Sequence, residues 1–380
     1  MLEGPRAAKL EELLEVVGLV NEVFMTPRGF PPILGEVFPL LFNVNNLDNL
    51  RIIVMDGKII SHVGIWEGSL LIYGSWFKVG MIGAVCTHKD FRGRGYASAL
   101  VMDALRKMRM DSVDLVLISG DRSLYRRFGC FKSGIVYHYK VSGEKLKNSG
   151  HKFNIIPYDE GMIGDIISIY QREPVRYRRT REEFKLLLEV FKKIRRYDGF
   201  KAGIRLAAAG DKPLAYIAFS SFLSEDSLKV WEYAGLREAI PYLMANIFET
   251  EKTSSLEITV PFHDTEMLSL FERYGLDRPN MDSEASMLIL NPIGFFEKSR
   301  LYLEERVGRE VISKIGVEED DGKIAVSLDG KRFMLEPSDF TLLFFDSPDP
   351  KRLREKVMPI RRFLDGALPM PTPLYGLNYV

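Results

Sequence analysis

Cysteine is nearly absent, with Cys86 and Cys130 the only two in 380 residues and far from any metal-ligand spacing. That excludes a disulfide framework and a cysteine-built metal site, and it suits a reducing compartment. Glutamine occurs once, at Gln171, while Glu, Lys and Arg are abundant, a bias shared with heat-adapted proteins. Net charge is lacking too, since 52 basic residues balance 52 acidic ones. A chain whose main partner is nucleic acid carries a basic excess, so nucleic acid is not expected as a partner. No apolar run approaches a membrane span, and Met1 to Glu12 holds charge but no apolar signal core. The expectation is a cytoplasmic protein with no membrane span and no metal. What is present is ample core material: 46% hydrophobic residues over this length supply two or three domains.

The chain is organised around Arg92-Gly93-Arg94-Gly95-Tyr96-Ala97. Val79 to Thr87 before it is apolar and glycine-loosened, as in a buried central strand. Ala97 to Met110 after it repeats apolar residues at helical spacing, through Leu100, Val101, Ala104, Leu105 and Met108. Strand, glycine turn and helix together point free backbone N–H groups and a helix dipole at one spot, where a pyrophosphate can sit. A third glycine with a later acidic residue, or Gly-Lys-Ser/Thr, would mark a Rossmann or Walker loop; neither is present. Arg92, Gly95 and Ala97 instead form Arg-x-x-Gly-x-Ala, which resembles the acetyl-coenzyme A loop of the GNAT superfamily of N-acetyltransferases. A second apolar strand, Val113 to Ile118, leads to Tyr125-Arg126-Arg127-Phe128-Gly129-Cys130-Phe131. The resemblance places Tyr125 at the superfamily's proton donor to the departing thiolate.

Around this centre the first segment reads as a helix over 9–24, a second over 33–42 after Pro27, Pro31 and Pro32, and a hairpin over 50–65 turning at Asp56-Gly57. Phe24, Phe30 and Phe38 either floor an acceptor pocket or pack helices. His62, within a strand pattern, is read as packed or solvated more readily than as a site residue. After the polar stretch 142–152 the order repeats: helices over 160–170 and 180–196, a hairpin about Gly210, a strand over 228–233, a helix over 236–248, a strand over 255–260, a helix over 265–274 and a strand over 285–290. This is a diverged internal copy. Its loop, Glu232 to Ala239, keeps one glycine and carries an acidic residue near the phosphate position, where a carboxylate opposes phosphate, so the copy reads as structural. The basic run Arg172 to Arg181 is interleaved with acids and reads as a solvated face. From Asn291 a smaller domain follows, with a helix over 295–307, a hairpin over 323–335 and helices over 338–345 and 350–364. The last 15 residues, 366–380, have no charged side chain, which predicts a packed tail and a fixed α-carboxylate.

The combination is similar to the Eis (enhanced intracellular survival) family of GNAT acetyltransferases. The resemblance implies mixed α/β sheets in tandem GNAT domains at 1–145 and 146–290, then a sterol carrier protein-like domain at 291–380 whose tail docks into the first. It implies acetyl-coenzyme A bound by Val85, Cys86, Thr87, Arg92, Gly93, Arg94, Gly95, Tyr96, Ala97, Ser98, Gly120 and Asp121. It implies Tyr125 as acid, the carboxylate of Val380 as base, and a homo-oligomer such as a hexamer. The expected acceptor is a primary amine, with aminoglycoside-like or polyamine-like small molecules and lysines all left open by the sequence. Two other readings stay open. One is a non-enzymatic acyl-coenzyme A sensor or lipid-binding scaffold; the other is a protein N-acyltransferase using a longer acyl chain. Cys86 as an acyl carrier is the least favoured reading, since direct transfer needs no covalent nucleophile.

Overall fold

A computed structural model describes residues 1–146, 152–221, 227–283, 285–346 and 355–378. They form two compact units, one from the described parts of 1–135 and 283–372 and the other from those of 136–282 and 373–378.

In the first unit the strands are Leu2–Ala7 (β1), Leu50–Met55 (β2), Lys58–Ile72 (β3), Ser75–Thr87 (β4), Leu115–Ser119 (β5) and Phe131–Ser133 (β6). The helices over this stretch are Leu13–Phe24 (α1), Leu34–Val37 (α2), Tyr96–Met110 (α3) and Ser123–Arg126 (α4). The sheet runs β1-β2-β3-β4-β5, then Ala285–Ile289, then β6, with β4 and β5 parallel. The apolar spacing that predicts α3 is the face it buries, through Leu100, Val101, Ala104 and Met108. Gly80 permits that approach, since a Cβ there would stand 2.3 Å from the Met108 sulfur.

Three local expectations change. The helix expected over 33–42 is a single turn, because Phe38 leaves helical geometry at ψ 64° and Pro39 follows. β1 was not foreseen; its first four residues are exposed on both faces, so no alternation marks it. Ala285–Ile289, expected to end the second copy, pairs antiparallel with both β5 and β6 in the first sheet.

The second unit repeats the design. Its sheet runs Met281–Asp282, Val136–Ser142, Ser255–Pro261, Leu228–Gly235, Lys212–Ser220, Ala202–Ala209, Asn154–Pro157, and Leu228–Gly235 lies parallel to Ser255–Pro261 as β4 does to β5. Val136–Ser142 occupies beside Ser255–Pro261 the position that Ala285–Ile289 occupies beside β5. Glu238 is not the carboxylate at the loop; it is half-exposed and paired with Lys152 at 2.6 Å. Glu173 fills that role, its Oε1 accepting from the Gly235 N–H at 2.8 Å while Arg237 grips both its oxygens. A built-in carboxylate thus satisfies the backbone donor that a phosphate would meet. Arg179, expected on a solvated face, is instead buried with Glu232, at 2.8 and 2.6 Å.

The later part of the first unit holds the helix Pro292–Val307, the strands Ile315–Asp320, Lys323–Leu328 and Lys331–Leu335, and the helices Pro337–Phe345 and Met358–Phe363. Phe295, Phe344 and Phe345 fill its core, with Phe295–Phe344 centroids 5.2 Å apart. Asp114, fully buried, fastens this part to the sheet by accepting from the Lys78 N–H at 2.7 Å, Asn291 Nδ2 at 3.2 Å and Lys298 Nζ at 2.5 Å.

The apolar tail is packed as its composition suggests, with Met370 and Leu374 fully buried. Residues 373–378 belong to the second unit: Tyr177 donates to the Pro373 carbonyl at 2.5 Å, Arg179 to Asn378 Oδ1, and the Leu377 N–H to Glu232 Oε2 at 3.1 Å. Tyr375 stacks on Tyr233 at 6.3 Å. Val380, expected as the base, lies outside the described residues together with Tyr379.

Candidate active site

β4 and β5 pair only from Val79 with Leu115 to Ile82 with Ile118, and β4 runs on to Thr87. Against β3 the register shifts, with His62 opposite Cys86 but Gly64 opposite Gly83, so that Ala84 and Val85 together face Val63. This is a β-bulge, and Ala84 turns through it at φ 51°. Beyond it the His88 N–H donates to the Ile60 carbonyl at 2.8 Å. Alternation therefore sends the amides of Cys86 and His88 toward β3, and those of Val85 and Thr87 into the gap where β5 has parted. The Thr87 carbonyl agrees, accepting from Arg92 Nε at 3.1 Å.

A short turn, Lys89–Phe91, leads into the glycine loop, where Gly93 at φ 77° and Gly95 at φ 84° take left-handed conformations. No atom lies within 4 Å of a Cβ built at either, so backbone angle, rather than space, requires glycine there. Gly95 caps α3 without a side-chain bond, and the helix's first turn has no acidic residue. The Ala99 N–H is already bonded to the Gly95 carbonyl at 3.0 Å, which leaves the amides of Tyr96, Ala97 and Ser98 at the free helix end. Arg92 and Arg94 are exposed beside them, Arg94 lying over the Phe91 ring at 5.3 Å. Backbone donors, a helix N-terminus and two guanidiniums make a seat for a diphosphate.

Tyr125 stands on the one-turn α4, 2% exposed, in the same apolar cluster as Val85, Leu100, Val101 and Cys130, with Tyr96 and Ala97 against it. Burial raises its phenol above the ordinary value, partly offset by the charge of Arg122. Gly120 turns the chain at φ 87° after β5, its carbonyl held by Ser286 Oγ at 2.8 Å. The Asp121 carboxylate is engaged by Arg126, with Nε at 2.8 Å. Cys86 is buried, which pushes its thiol up to about 12 and makes it a poor nucleophile. Phe24, Phe30 and Phe38 are all half-buried, around the end of α1 and α2. Among the described residues no group of three or more His, Cys, Asp or Glu is placed to hold a metal ion.

Residues 5–132 match the family described as an acetyltransferase (GNAT) domain. This segment is a GNAT acetyltransferase domain, and the protein is an acyltransferase. No curated protein sequence matches the chain. Among solved structures it is similar to a GCN5-related N-acetyltransferase from Anabaena variabilis, at 16% identity and TM-score 0.67 over 98% of this chain and 99% of that one. A GCN5-related N-acetyltransferase from Kribbella flavida aligns over 100% of both chains at 13% identity and TM-score 0.66. Eis1 from Mycobacterium abscessus aligns over 89% of this chain and 83% of its own at 14% identity and TM-score 0.55. At such identities the likeness is one of fold.

The GNAT domain holds further polar groups; sequence spacing singled out neither Arg127 nor His88, and it read His62 as packed or solvated. Arg127 donates to Ser98 Oγ at 3.1 Å and adds a third guanidinium beside the loop. His88, buried, places Nε2 3.2 Å from Glu22 Oε1, joining the end of β4 to α1. His62, wholly buried, places Nδ1 3.1 Å from the Ala84 carbonyl at the bulge. Each is a lone side chain in the sequence, and only β-pairing or helix packing brings it to the site.

Proposed function

We propose that the chain transfers an acetyl group from acetyl-coenzyme A directly to a primary amine. The observation that carries this is the parting of β4 from β5 immediately before the glycine loop. Bound there, acetyl-coenzyme A would supply an activated acyl group as a thioester. In this reading Arg92 to Ser98 hold the diphosphate, and Val85, Cys86 and Thr87 line the arm that leads to the thioester, with Gly120 and Asp121 at the facing strand end. The amides of Val85 and Thr87 stabilise negative charge on the acyl oxygen. Tyr125 returns a proton to the sulfur; its ordinary pKa of about 10 exceeds the thiol's of about 8.5, so it must stand close. The Val380 carboxylate takes a proton from the substrate ammonium, which frees the amine to attack; from an ordinary value of about 3.5, its basicity would have to be raised by burial under the apolar tail, unless water relays the proton.

The acceptor in this proposal is a small polyamine-like or aminoglycoside-like molecule or a lysine, received among Phe24, Phe30 and Phe38. The architecture is taken as that of Eis: a catalytic domain, a second GNAT copy and a sterol-carrier-like domain, in a cytoplasmic homo-oligomer. The test is coenzyme A release across a panel of amines and acyl chain lengths, with the native chain beside one extended by a glycine after Val380. Turnover lost on extension supports the transferase and its terminal base. Equal rates remove Val380 from the mechanism. Binding of acetyl-coenzyme A without turnover favours a sensor, and preference for long acyl chains favours an N-acyltransferase of another donor.

A further inference from the structure

We propose that His62 is a positioning residue for acyl transfer: its Nδ1–H holds the Ala84 carbonyl and so keeps the bulged end of β4 turned with the Val85 amide toward the gap. The proposal rests on the acetyltransferase reading above and adds a residue to it.

Two unfavourable features stand side by side on β3 and β4. Ala84 sits at φ 51°, in the left-handed region that is unfavourable for an L-residue. Glycine at 84 would adopt that angle freely, yet the chain keeps a Cβ there. The His62 imidazole is wholly buried, with Nδ1 3.1 Å from the Ala84 carbonyl. A carbonyl only accepts, so Nδ1 carries the hydrogen and Nε2 is the bare nitrogen. Nε2 has no partner among the described residues; the Phe42 and His62 ring centroids are 6.0 Å apart, and a Cβ on Gly64 would meet Leu41 and the imidazole itself. A buried polar atom left unpaired loses its hydration with nothing in return, which is a cost to the fold.

Phenylalanine or leucine at 62 would avoid that cost, so packing alone does not account for histidine. What histidine adds is one donor at the strained carbonyl. Ser61 makes the adjoining ties, with Oγ 2.9 Å from the Cys86 carbonyl and 2.8 Å from Thr87 Oγ1. Residues 84–87 are therefore held from β3 by side chains just where β5 no longer supports β4. Strain retained where a strand must be re-aimed is the pattern of a functional bulge. A role for His62 as the base is disfavoured by the enclosure of Nε2, and burial keeps the ring neutral down to about pH 4.

The test uses the full chain with His62→Asn, which keeps a donor near the Nδ1 position, and with His62→Gln and His62→Phe, which do not. The expected result is a kcat reduced on the order of 10²-fold in the Gln and Phe variants, with KM for acetyl-coenzyme A within about threefold of native. The Asn variant should stay within about fivefold of native in kcat, and adding Ala84→Gly to His62→Phe should restore part of the loss by removing the strain. An active Gln variant beside an inactive Asn variant, full activity in all three, or an Asn variant that does not fold would each overturn the proposal. Nitrogen-15 NMR of the His62 ring needs no substrate: hydrogen on Nδ1 is expected, and hydrogen on Nε2 overturns the proposal even if no amine is turned over. A native chain inactive with every amine would instead remove the acetyltransferase reading.

Discussion

Tyr125 and His62 are both withdrawn from water, and burial holds each in its neutral form. For Tyr125 this keeps the phenol protonated beyond its ordinary value, as a proton donor requires. Tyr125→Phe is expected to lower kcat about 10²-fold with little change in the KM for either substrate, and a native rate that begins to fall only above about pH 10 would agree. Thiol release against pH for both chains measures this; an unaffected kcat removes Tyr125 from the chemistry. His62 and His263 are each shifted down to about 4 by burial. Below about pH 6.5 the unfolded chain's imidazoles bind protons that the folded chain refuses until about pH 4, so stability falls with acidification across that window and is level above it. Between pH 7 and pH 5 the loss is about 2 kcal/mol for each histidine, read by urea unfolding, and His62→Asn should flatten the dependence by about half. A chain equally stable at both values contradicts it. Neither burial is legible from one residue and its neighbours. His62 looks like any strand histidine until β4 is laid beside it, and Arg179 looks solvated until Glu232 faces it.

At the scale of elements, the strand, glycine turn and helix were readable because their signals are local: an apolar run, glycines at left-handed positions, and apolar spacing along α3. The bulge was not, since Ala84 has no turn-forming side chain and the extra residue exists only relative to β3. Apolar spacing alone suggests a longer helix at α2 than forms, because the backbone leaves helical geometry at Phe38, just before Pro39. The glycine loop carries its own prediction. Gly95→Ala meets no steric obstacle but forces an L-residue to φ 84° at the helix cap, a cost of about 1–2 kcal/mol. That strain turns the amides of Tyr96, Ala97 and Ser98 away from the diphosphate seat. KM for acetyl-coenzyme A should rise about tenfold with kcat nearly unchanged, as expected when an interaction common to ground and transition states is lost. Steady-state kinetics at saturating amine decide it, and a loss confined to kcat would place the loop's contribution in the chemical step instead.

At the scale of the whole molecule, the repeat was legible from the order of elements, but which strand completes which sheet was not. Val136–Ser142 and Ala285–Ile289 are both short and largely apolar, and nothing local tells either one its partner. The choice is made by contacts distant in sequence: Ala285–Ile289 pairs with β5 and β6, the Ile289 N–H donates to Thr341 Oγ1 at 2.9 Å, and Asp114 binds Lys298. A fragment of residues 1–145 therefore lacks the strand between β5 and β6 and exposes two sheet edges together with the buried Asp114 carboxylate. It should aggregate or melt without cooperativity. Residues 1–135 joined to 283–372 by a short linker should melt as one unit, because the Ser283 hydroxyl already donates to the Ser133 carbonyl and so brings the two cut ends together. Circular dichroism melts of both fragments test this. A cooperative melt of the 1–145 fragment would mean that its own strand over 136–142 can take the place of Ala285–Ile289, and that the exchange of strands between the two copies is dispensable for folding.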